Sequence, residues 1–106
     1  MAERVDAAAF DERVLAAPGT VLVDFYSDTC VPCKRIVPQL AKLETAHAEA
    51  GDLAVVRVNT NFDADLAARY NVMAAPTLVV FRGGEEVVRA TGFKRVDELE
   101  QLVASA

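Results

Sequence analysis

The sequence predicts an α/β fold of order (β)αβαβαββα, and three observations carry that prediction. Apolar runs of strand length, above all Val21-Leu22-Val23-Asp24-Phe25-Tyr26, are almost unbroken, the signature of a strand buried on both faces in a parallel sheet. Between such runs, apolar residues recur at three- and four-residue steps, the period of a helix with one face on a core. Each change of pattern falls on a breaker: Pro18-Gly19, Gly51-Asp52 or Gly83-Gly84.

In chain order, Asp6 is placed to cap a helix over 7–16 before Pro18-Gly19 ends it. Residues 20–26 form a strand, in which Asp24 is the one interruption. From Cys33, the positions Ile36, Val37, Leu40, Leu43 and His47 mark a helix running to about residue 50, and Pro38 inside it predicts a kink. A strand over 53–59, a short helix over 63–70 and a strand over 77–82 follow. Gly83-Gly84 fits a tight hairpin into a strand over 85–91, and Val96, Leu99, Leu102 and Val103 give the final helix over 96–104.

A chain of 106 residues is expected to be one domain, 1–106, that buries about two thirds of its unfolded surface and needs no disulfide for stability. The net charge of −5 and the absence of a basic stripe argue against nucleic acid and anionic membranes. The first six residues lack an apolar leader core, and no run approaches the roughly 20 apolar residues of a membrane span. A soluble, cytoplasmic monomer is the expectation.

Cys30-Val31-Pro32-Cys33 holds the only cysteines and lies where a strand hands over to a helix, a placement that points to dithiol redox chemistry. Half a zinc site and inert core thiols are the alternatives; a zinc site needs four ligands, and only His47, far down the helix, could add to the pair. Cysteines three apart at a helix start share a face and can close a small, easily reopened ring. Pro32 suits the first turn, where its missing N–H costs nothing, and Cys30 is left at the helix tip, where unpaired N–H groups and the dipole favour a thiolate. Cys30 is therefore the expected nucleophile and Cys33, one turn inside, the resolving thiol. Asp24, late in the strand leading to this helix, is the expected proton handler, its pKa raised by burial and moderated by Arg57 on the next strand. Lys34, with Arg35, reads first as a solvated face, though its charge can favour the thiolate. His47 reads as packing on the apolar stripe, and Gly83-Gly84 as a turn, not a phosphate cradle.

Val21-Leu22-Val23-Asp24-Phe25, Cys30-Val31-Pro32-Cys33-Lys34, Pro38, Ala75-Pro76-Thr77 and Gly92 together resemble the thioredoxin family over essentially the whole chain. The resemblance implies a thioredoxin fold, a central mixed sheet flanked by helices, and protein-disulfide reductase activity through a mixed disulfide. It implies no bound cofactor beyond the Cys30-Cys33 pair, and it implies recharging by a thioredoxin reductase. Pro76 matches the family's cis-proline, which faces the nucleophile and lets the Ala75 backbone pair with an extended substrate segment. Gly92 matches a glycine that leaves room there, and Val31 and Pro32 complete the expected substrate-contacting set.

Departures from the family pattern are Thr29 before Cys30, Val31 between the cysteines, Tyr26, Thr60-Asn61 after the third strand, a first strand truncated to residues 1–5, and the absence of any tryptophan. They keep two other readings open: an electron carrier dedicated to one partner, and a non-catalytic binding module on the same scaffold. β-Branched Val31 restricts the backbone between the sulfurs. Val31→Gly is accordingly expected to shift the reduction potential, read by equilibration against glutathione or dithiothreitol; an unchanged potential refutes this.

Overall fold

In the computed structural model, which describes residues 2–106, five strands form one sheet. They are β1 (Glu3–Arg4), β2 (Thr20–Tyr26), β3 (Leu53–Asn59), β4 (Thr77–Arg82) and β5 (Glu85–Thr91), in the spatial order β1-β3-β2-β4-β5. β3 runs parallel to β1 and β2, whereas β4 is antiparallel to β2 and β5, so the sheet is mixed as the resemblance implies. Four strands keep the bounds read from the sequence. The first shrinks to two residues, and Met1 lies outside the described residues.

Alternation along β2 explains both the sheet's two-sided core and the direction of its one carboxylate. Val21, Val23 and Phe25 pack on one face with Phe10, Val14, Leu66 and Phe81. Leu22 packs on the other with Ile36, Leu40, Leu43, Leu78 and Leu99. Asp24 is two residues beyond Leu22 and shares its face, the side that carries the cysteine helix. It is 0% exposed.

The first helix begins as expected, with Asp6 accepting from the Ala9 N–H at 2.9 Å. α1 (Ala7–Phe10) passes directly into a wider π turn over Asp11–Leu15, one residue short of the sequence reading. The expected long, kinked helix is instead two: α2 (Val31–Arg35) and α3 (Val37–His47), divided at Ile36. Pro38 explains the division, because it has no N–H for the Lys34 carbonyl and its ring crowds that turn. α3 stops at His47 and turns through Gly51, whose N–H reaches the His47 carbonyl at 2.9 Å. α4 (Ala64–Arg69) and α5 (Val96–Ala104) match their readings to within a residue at each end. Gly83 and Gly84, at φ +61° and +83°, make the β4-β5 hairpin. No helix among the described residues is long and apolar enough to cross a membrane.

His47 departs from the packing role read from the sequence. At the C-terminal end of α3 its ring lies between two carboxylates, Nδ1 at 2.8 Å from Asp52 and Nε2 at 2.6 Å from Glu100 of α5. Glu100 first, then Asp52, favour the imidazolium and raise the His47 pKa. A folded-state pKa above the unfolded value of about 6.5 means that the contribution is complete below that value and fades as pH rises through the folded one. His47→Gln is thus expected to lower the urea midpoint clearly at pH 6 and far less at pH 9. An equal loss at both would leave His47 a packing role only.

Candidate active site

Cys30 is the residue before the first turn of α2, with extended backbone at φ −85° and ψ 112°. From there its Sγ accepts the Cys33 N–H at 3.1 Å, one of the donors that a helix start leaves unpaired. This is the geometry that stabilises a sulfur anion. Pro32 sits in the first turn, where a missing N–H interrupts nothing.

The two sulfurs are joined in a disulfide with the Cα atoms 5.2 Å apart. Cys33 is 1% exposed while Cys30 is half-buried and its neighbour Val31 is 64% exposed, so a partner reaches Cys30 and not Cys33.

Opposite the dithiol stands the turn that enters β4. The Ala75-Pro76 bond is cis, and the Ala75 carbonyl oxygen lies 3.3 Å from Cys30 Sγ. Thr77 Oγ1 donates to the Ala74 carbonyl at 2.7 Å and holds this turn. Gly92 is tied to it through its N–H, which donates to the Pro76 carbonyl at 2.8 Å. A Cβ at Gly92 would meet nothing within 4 Å, but φ is +90°, a backbone region that side chains disfavour.

Asp24 and Arg57 are partners in the parallel register of β2 and β3, which brings Arg57 Nε to 2.9 Å from Asp24 Oδ2. Arg57 Nη2 donates at 3.4 Å to the Cys33 carbonyl, and its guanidinium lies 4.0 Å from the centre of the Tyr26 ring. One cation therefore links the buried carboxylate to the backbone of the inner cysteine. Burial raises the Asp24 pKa to about 6, and the charge and hydrogen bond of Arg57 oppose the rise. Asp24 Oδ1 is buried and has no hydrogen-bond partner among the described residues, which leaves it free to take a proton.

Lys34 is exposed on α2, one residue beyond Cys33, and forms no ion pair among the described residues, whereas Arg57 pairs with Asp24. No group of three or more His, Cys, Asp or Glu side chains there is arranged to hold a metal ion. Beside the Ala75 turn runs a shallow groove of about 390 Å³ lined by Ala64, Ala67, Val72, Met73 and Ala75, with Met73 95% exposed at its lip. Sequence reasoning missed Met73 and the groove; the small residues of α4 that floor it carry no local signal.

The thioredoxin family model matches residues 2–105. The chain is 37% identical over 103 residues to a thioredoxin of Chlamydia caviae, covering 97% of this chain and 96% of that one. It is 41% identical over 86 residues to a thioredoxin of Bacillus subtilis, 80% of each chain. A thioredoxin of Mycoplasma genitalium is 42% identical over 82 residues, covering 77% of this chain and 78% of that one.

Proposed function

The chain belongs to the thioredoxin family and is a protein thiol-disulfide oxidoreductase, and we propose that Cys30 attacks, Cys33 resolves and Asp24 handles the proton. The observation that carries this reading is Cys30 Sγ at the tip of α2, accepting the Cys33 N–H and bonded to the Cys33 sulfur behind it.

In the reduced protein the Cys30 thiolate attacks one sulfur of a substrate disulfide. A Cys30-substrate disulfide forms, and the other substrate sulfur leaves as a thiolate that takes a proton from solvent. The Asp24 carboxylate then accepts the Cys33 proton, and the Cys33 thiolate attacks Cys30 Sγ. The Cys30-Cys33 disulfide forms, and the second substrate sulfur departs. Arg57 keeps Asp24 ionised often enough to act as a base near neutral pH.

Substrate is held as an extended segment against the Ala75 backbone, with Pro76, Val31, Pro32 and Gly92 around it. The protein works as a monomeric single domain, 1–106, in the cytoplasm. It needs no prosthetic group, and a thioredoxin reductase returns the disulfide to the dithiol. The test is insulin reduction by the reduced protein, coupled to NADPH through a thioredoxin reductase. Continuous turnover is expected, and no acceleration of insulin reduction would leave only the scaffold. The exposed Thr29 in a chain without tryptophan favours, as the second reading, a carrier dedicated to one partner. That reading predicts insulin reduction without coupling to the reductase.

A further inference from the structure

We propose that Asn59, acting with Asp28, is a positioning residue: the two side chains form a latch that fixes the loop between β2 and α2 and so aims Cys30. The proposal rests on Cys30 being the attacking thiol. Ser27-Asp28-Thr29 is the whole connection from β2 to Cys30. Asp28 and Thr29 are exposed, so burial of apolar surface does not hold this loop. Its own backbone offers little, since the Cys30 N–H reaches the Ser27 carbonyl only at 3.5 Å.

What holds it comes from the connection between β3 and α4. The buried Asn59 amide, 8% exposed, donates from Nδ2 to Asp28 Oδ1 at 2.8 Å. Its Oδ1 accepts the N–H of Asn61 at 2.9 Å and that of Phe62 at 3.1 Å. Asn61 completes the circuit, its Oδ1 accepting the Asp28 N–H at 2.9 Å. Next to it, the Tyr26 carbonyl accepts both the N–H of Thr60 at 2.8 Å and its hydroxyl at 3.0 Å. One buried side chain therefore orders the β3-α4 turn and clamps the cysteine loop to it.

The chemical consequence concerns charge as well as aim. Asp28 is two residues before Cys30, and a carboxylate released there is free to approach the thiolate and disfavour it. With Asn59 in place it is held at the end of β3. The loop in turn sets the start of α2, on which the Cys33 N–H to Cys30 Sγ contact depends.

The experiment is iodoacetamide alkylation of Cys30 against pH in the reduced protein, with insulin kcat/KM alongside, for Asn59→Ala, Asp28→Ala and Asp28→Asn. Asn59→Ala is expected to move the alkylation midpoint to higher pH and to slow alkylation at pH 7 by about threefold or more. Asp28→Asn removes the charge but keeps an oxygen for Asn59, and it rescues both rates to the parent level. Asp28→Ala makes the same charge change without that oxygen and falls about threefold below Asp28→Asn. A merely structural role for the latch would lower thermal stability without moving the alkylation midpoint. Equal rates for the two Asp28 variants, or an Asn59→Ala profile superimposed on the parent's, overturns the proposal. The Asp28 pair decides it if Asn59→Ala does not fold. A parent midpoint at the ordinary thiol value bears instead on the reading of Cys30 itself.

Discussion

Cys30→Ser is expected to abolish insulin reduction, whereas Cys33→Ser is expected to stop after one step and accumulate a mixed disulfide. The asymmetry follows from exposure: Cys30 is reachable, and Cys33 is 1% exposed behind it. Without Cys30 no sulfur is presented to a partner. Without Cys33 the first exchange proceeds, but nothing within reach attacks the Cys30-substrate bond. Non-reducing electrophoresis of Cys33→Ser with a disulfide substrate should show the adduct and that of Cys30→Ser should not. The reverse pattern would exchange the two roles.

Asp24→Asn is expected to stabilise the oxidised protein at pH 7 and to slow its turnover. Burial lifts the Asp24 pKa from 3.8 to about 6, so the folded protein binds this proton more tightly than the unfolded chain does. Between those values stability falls as pH rises; the contribution is whole below about pH 4 and gone once Asp24 is ionised in the folded state. Two units correspond to about 3 kcal/mol. Asparagine does not ionise, so its gain at pH 7 should exceed its gain at pH 4 by up to about 3 kcal/mol. The Arg57 ion pair exists only where Asp24 is ionised, and its opposing effect is already contained in the raised value of about 6. Urea denaturation at pH 4 and 7 measures the difference, and equal effects at the two would mean that folding does not raise the Asp24 pKa. Turnover should fall because the resolving step loses its base, with the adduct persisting longer.

Both effects trace to features that the chain announces locally. The unbroken run around Asp24 marks β2 as buried on both faces, and counting two from Leu22 puts the carboxylate on the side of the cysteine helix. The breakers at Pro18-Gly19, Gly51-Asp52 and Gly83-Gly84 fall at the element ends because they act through their own backbones. Long-range pairings were less legible. His47 keeps the helical period and so looks like core; only the fold brings Glu100 of α5 to its ring. Asn59 ends a strand unremarkably, and its value lies in a loop 31 residues earlier. Pro38 announced a disturbance, but whether it kinks or divides a helix depends on packing around Ile36, which no short window contains.

The most direct measurement is the alkylation rate of Cys30 in the reduced protein as a function of pH. A nucleophile held as an anion by the α2 tip gives a rate that levels off well below the ordinary thiol pKa of about 8.5. A profile that keeps rising through that value would contradict the account.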